Sequence, residues 1–69
     1  MVCKRRILRI GNWGDDVALL QNILASLSYY TGPIDGIFGP LTRQAVMRLQ
    51  ADNGLVPDGI VGPLTYDVI

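Results

Sequence analysis

DGIFGPLT at Asp35–Thr42 and DGIVGPLT at Asp58–Thr65 are two copies of one phrase, 23 positions apart, differing only at Phe38 and Val61. Each reads as a turn followed by a helix start. Asp-Gly favours a tight turn, because glycine tolerates positive φ and the aspartate side chain bonds the backbone just downstream. Gly-Pro then opens a helix, with proline at the first position, where a missing N–H removes no bond. Asp35, Gly36, Gly39 and Pro40 in the first copy, and Asp58, Gly59, Gly62 and Pro63 in the second, are therefore read as turn and cap residues. The interval between the copies leaves room for one helix and one connection, so the chain repeats a loop–helix unit.

A second echo lies upstream of each phrase. Val17-Ala-Leu-Leu20-Gln21 and Val46-Met-Arg-Leu49-Gln50 both read Val-x-x-Leu-Gln. On a helix, positions three and four apart share a face, which sets Gln21 and Gln50 at matching edges of two apolar stripes. Each glutamine reads as an amide tying its helix to a neighbouring loop backbone, with ligand contact as the alternative.

Working outward, Asp15 and Asp16 place negative charge where a helix start favours it. Val17, Leu20, Leu24 and Leu27 follow at helical spacing, with Leu19 and Ile23 widening the stripe. The expected helices are 15–28, 40–53 and 63–69. Gly32-Pro33 ends the first, Asn53-Gly54 stops the second, and Leu41, Ala45, Val46, Leu49, Leu64 and Val68 are expected to point inward. Ile34–Phe38 and Pro57–Val61 are too short for more than a strand-like bridge. The fold class is all-α: a small three-helix orthogonal bundle with two DG turn–helix repeats.

With 69 residues, 49% of them hydrophobic, the chain can bury one core but has no room for a deep cleft beside it. Its formal net charge is zero, which argues against nucleic acid or an anionic membrane held by bulk charge. Lys4, Arg5, Arg6 and Arg9 crowd the start, and residues 1–6 read as a flexible, solvated basic leader before a domain over 7–69. Arg5-Arg6 has no apolar run behind it, so no secretory signal is visible and the chain reads as leaderless or as one domain of something longer. Cys3 stands alone and forms no intrachain disulfide.

The chain contains no histidine, which removes Ser–His nucleophile pairs and His-ligated zinc. All six acids are aspartates, and Asp15, Asp16, Asp35 and Asp58 are explained by helix starts and turns. No enzyme activity, cofactor or metal is expected. Binding remains. Trp13, Tyr29, Tyr30 and Tyr66 supply flat amphipathic faces suited to stacking on sugars. For Trp13, surface function and packing weigh evenly, and one of Tyr29 and Tyr30 is expected to pack beneath the loop. Arg43 and Arg48 read as solvated helix charges, either of which can pair a carboxylate ligand.

The run Leu8-Arg9-x-Gly11-x-x-Gly14-Asp-Asp16-Val17-x-x-Leu20-Gln21, followed by Tyr29-Tyr30-x-Gly32-x-Ile34-Asp35-Gly36-x-Phe38-Gly39-x-x-Thr42 and Asp58-Gly59-x-x-Gly62-x-x-Thr65, resembles the peptidoglycan-binding domain of the three-helix type. The resemblance covers about residues 7–69. It implies non-catalytic binding of cell-wall peptidoglycan beside an attached or associated cell-wall hydrolase, spore-cortex enzyme or phage lysin, at the cell wall or outside the cell. The same fold also serves as a pro-segment or protein-interaction module, which is the alternative. Three departures stand out: Ser28 where the family often has glycine, Leu49 where an aromatic often precedes the glutamine, and Trp13 at a usually polar position. The expected ligand surface joins the Gly11–Gly14 loop, the Tyr29–Ile34 connection and the start of the second helix, through Trp13, Tyr29, Tyr30 and Arg43. The groove beside Gln50 and Asp58 is the next candidate. A helix-turn-helix reading rests only on three helices and the basic leader.

Overall fold

Both DG phrases form the same object in the computed structural model, which describes residues 6–69. Gly36 has φ 72° and Gly59 φ 74°, the left-handed region that the turn reading required. Gly39 and Gly62, which precede the prolines, have φ/ψ of −109°/−168° and −107°/−167°. Helices follow at once: α1 spans Asp15–Ser26, α2 Pro40–Asp52 and α3 Pro63–Asp67. The basic leader lies outside the described residues except for Arg6.

The first helix stops two residues earlier than its apolar pattern predicts. Leu27 leaves helical geometry, Ser28 takes φ 69°, and the amides of Ser28 and Tyr29 reach back to the carbonyls of Ala25 (3.0 Å) and Leu24 (2.9 Å). That is a Schellman closure with serine in the left-handed seat. The second helix ends the same way with the expected residue: Gly54 at φ 73°, its amide on Ala51 O and the Leu55 amide on Gln50 O. The third helix stops at Asp67, two residues short of the expected end.

The core contains Leu8, Val17, Leu20, Leu24, Tyr30, Phe38, Ala45, Val46, Leu49 and Val61. Burying a side chain such as Phe38 contributes about 2–3 kcal/mol, and most of these residues come from the Val-x-x-Leu stripes and the DG phrases. Leu41 and Leu64 were expected inward, and both are exposed. Each stands one residue before a threonine that takes the inward place, Thr42 or Thr65, so the helix face is rotated by one position. Leu19 and Leu27 are also exposed, which narrows the α1 stripe.

An extended N-terminal segment fastens the two units together. Leu8 pairs antiparallel with Val61 through bonds of 3.2 and 2.8 Å, and Trp13 forms an isolated bridge with Ile37. Phe38 exchanges bonds with Gly11 and Asn12 at 3.0 and 2.9 Å. Phe38 and Val61, the one differing pair in the repeated phrase, are thus anchored on the same strand-like segment.

Candidate functional site

Each buried glutamine closes its turn with matching bonds to an aspartate, an isoleucine carbonyl, a threonine and a glycine amide. Gln21 Nε2 donates to Asp35 Oδ1 (3.0 Å), Ile37 O (2.9 Å) and Thr42 Oγ1 (3.1 Å), and its Oε1 accepts from the amides of Asp35 and Gly36. Gln50 Nε2 donates to Asp58 Oδ1 (3.0 Å), Ile60 O (2.9 Å) and Thr65 Oγ1 (3.0 Å), and its Oε1 accepts from Gly59 N (3.0 Å). The backbone amides fix which end of each side-chain amide is oxygen. These bonds satisfy groups that would otherwise be buried without partners, and among the described residues no buried side-chain polar atom lacks one. The structural reading of both glutamines holds.

The two clamps differ in what lies beside them. Gln21 is 14 positions from Asp35, whereas Gln50 is 8 from Asp58. The longer first connection carries Tyr30 into the core, where its hydroxyl donates to Pro33 O at 2.6 Å and accepts from Gln21 Nε2 at 3.3 Å. The second, shorter connection has no such ring. A groove of about 430 Å³ opens there, lined by Leu55, Val56, Asp58, Ile60, Pro63 and Leu64 over the Gln50–Thr65 floor.

The candidate ligand residues fall in several places. Gln50 and Asp58 meet in this groove, though Gln50 is buried and its amide is committed to the turn. Arg43 lies over the same turn, since a Cβ on Gly59 would sit 2.8 Å from Arg43 Cγ. Trp13 is 74% exposed at the other DG turn. Tyr29 is half-buried and donates its hydroxyl to Asp52, an interaction that raises its pKa. Tyr30 was expected at the ligand surface; the structure corrects this, because its ring is 6% exposed and fills the first connection from beneath. Trp13 and Arg43 thus sit at different turns.

Sequence reasoning missed the groove wall of Leu55, Val56, Ile60 and Leu64. Its only signal was the repeat itself, since Ile37 and Leu41 are the exposed twins of Ile60 and Leu64. It also missed a second groove of about 460 Å³ between Leu8, α1 (Leu19, Leu20, Ile23), Tyr66 and Ile69. Arg6 and Asp16 stand at its edge in a two-pronged pair of 2.6 and 3.0 Å. That bond to Arg6 holds the Asp16 carboxyl below the usual range of 3.8. Asp35 is held low chiefly by the Ile37 amide and then by Gln21.

Among the described residues no group of three or more histidine, cysteine, aspartate or glutamate side chains gathers as a metal site, and no helix is long and apolar enough to cross a membrane. The geometry defines a small helical module with a shallow, mostly apolar groove. A family model described as a peptidoglycan binding domain matches residues 14–69, and the chain belongs to that family. It is 53% identical over 53 residues to the N-acetylmuramoyl-L-alanine amidase CwlM of Mycobacterium tuberculosis, covering 77% of this chain and 13% of that protein. It is 56% identical over 64 residues to the zinc D-Ala-D-Ala carboxypeptidase of Streptomyces albus G, covering 86% of this chain and 24% of the other. Among solved structures, the SleB N-terminal domain superposes with a TM-score of 0.89 at 35% identity, covering 96% of this chain and 90% of that one. The chain thus spans less than a quarter of each of those two enzymes.

Proposed function

We propose that this chain binds bacterial cell-wall peptidoglycan without cutting it, and so holds an attached or associated cell-wall hydrolase, cortex-lytic enzyme or lysin on its polymer, at the cell wall or outside the cell. The observation that carries this reading is the membership of residues 14–69 in the peptidoglycan-binding family, with an open groove at the second DG turn. Confining an enzyme to its polymer raises its effective concentration with no new catalytic contact. The side-chain amides of Gln21 and Gln50 and the Oδ1 atoms of Asp35 and Asp58 are spent on holding the fold, which leaves the groove lining, Arg43 and the exposed Trp13 ring as contact surface. Sugar faces suit the indole and the aliphatic wall, and stem-peptide carboxylates suit Arg43.

Co-sedimentation of the purified chain with cell-wall sacculi tests the reading, with a DNA retention assay alongside. Specific pelleting with sacculi and no DNA retention is the expected result. Failure to pellet, or clearing of the sacculus suspension by the chain alone, overturns it.

A further inference from the structure

The groove at the second DG turn sets one charge in an otherwise apolar wall. Of its lining residues only Asp58 is ionisable. Its Oδ1 is committed, accepting from Gln50 Nε2 (3.0 Å) and from the Ile60 amide (2.9 Å). Its Oδ2 accepts no hydrogen bond among the described residues. Arg43 lies over the neighbouring Gly59 but forms no ion pair with Asp58; the ion pair among the described residues is that of Arg6 with Asp16. The other groove differs on this point, because its carboxylate is already neutralised. An uncommitted carboxylate beside Val56 (76% exposed) and Leu64 (67% exposed) is complementary to a cation carried on a hydrocarbon stem.

We propose that this groove takes the free amino end of a diamino-acid side chain in a peptidoglycan stem peptide, with the ammonium on Asp58 Oδ2 and the methylenes along Val56 and Leu64. The inference rests on the peptidoglycan-binding reading above and names the part of the polymer recognised. It carries a selectivity: a cross-linked stem has that amine converted to a neutral amide, which removes the charge and adds bulk. The module therefore prefers un-cross-linked stems.

The repeat supplies an internal control. Asp35 Oδ1 accepts from Gln21 Nε2 and from the Ile37 amide at 3.0 Å each, the same structural duty as Asp58, at the other DG turn and outside the lining of this groove. Asp→Asn at either position keeps the Oδ1 acceptor, removes the charge and replaces the Oδ2 acceptor with an NH2 donor. The experiment is co-sedimentation with sacculi bearing free diamino-acid amines and with the same sacculi N-acetylated by acetic anhydride. The parent chain is expected to lose about tenfold in affinity on acetylation, the scale of a charge-assisted hydrogen bond. Asp58→Asn should show the same loss on untreated sacculi and no further loss on acetylated ones, while Asp35→Asn follows the parent. Equal binding of the parent to both polymers, or parent-like binding by folded Asp58→Asn, overturns the assignment and leaves peptidoglycan binding standing. A parent chain that pellets with neither polymer overturns the functional reading itself. The acetylation arm uses the unmodified protein and so depends on no variant folding.

Discussion

Ser28 holds a backbone geometry that its own side chain resists. An L-residue with a Cβ in the left-handed region costs about 1–2 kcal/mol, part of which glycine returns through the entropy of the unfolded chain. Ser28→Gly is therefore expected to stabilise the fold by about 0.5–1 kcal/mol, read as a higher melting temperature with binding unchanged. Gly36 and Gly59 run the opposite way. Alanine at Gly36 meets the backbone carbonyl of Gly14 at 3.1 Å, which cannot move aside. Alanine at Gly59 meets Arg43 Cγ at 2.8 Å, a side chain that can swing out. Both substitutions should cost more than about 1 kcal/mol for the positive φ alone, and Arg43→Ala should rescue part of the loss at Gly59 and none at Gly36. Thermal melts of the single and double variants check this. Positive φ was legible at these two positions because Asp-Gly chemistry is local. The exposure of Leu41 and Leu64 was not, since it depends on which side of the helix the glutamine clamp pulls inward.

At the scale of elements, the clamp joins each helix to the turn and helix that follow. Gln50→Ala strands the Gly59 amide and the Thr65 hydroxyl in the interior, at a cost of about 2–3 kcal/mol, and Gln21→Ala does the same at the first turn. A chain of this length has only about 3–10 kcal/mol in total, so either variant should shift the urea midpoint severely and the double variant should not fold. Acid acts through the same regions. The carboxyls of Asp16 and Asp35 lie below 3.8 when folded, so the unfolded chain takes up protons first. Their contribution is complete above that value and is lost as pH falls through and below it. Urea midpoints should be level from neutrality to about pH 5 and drop below about pH 4, and Arg6→Ala should flatten part of that drop while lowering the midpoint at neutral pH. The clamps could be read from the Val-x-x-Leu-Gln echo. The Arg6–Asp16 pair could not, because ten positions and a loop separate the two and no periodicity relates them.

Across the whole molecule, the two units are alike in their turns and unlike in the length of their connections. Tyr30 fills the first connection from beneath, and a groove lies at the second, shorter one. Tyr30→Ala should therefore lower the melting temperature and weaken sacculus binding only through unfolding, whereas Trp13→Ala and Arg43→Ala should keep the parent circular dichroism spectrum and pellet less with sacculi. The fold was legible because the repeated phrase carries its own turns and caps. The place of a groove beside Gln50 and Asp58 was legible too, but its apolar wall was not, because that depends on how Leu55, Val56, Ile60 and Leu64 meet across the turn. The extended segment that fastens both units brings the two ends of the described chain together, with Leu8 beside Val61 and the Tyr66 hydroxyl on the Arg6 carbonyl at 2.6 Å. Under tension this arrangement matters. A pull applied through both ends loads the antiparallel pair in unzipping rather than in shear, so its bonds carry the force one after another. The seam therefore opens first, freeing the N-terminal segment from both turns while α1 and α2 still stand.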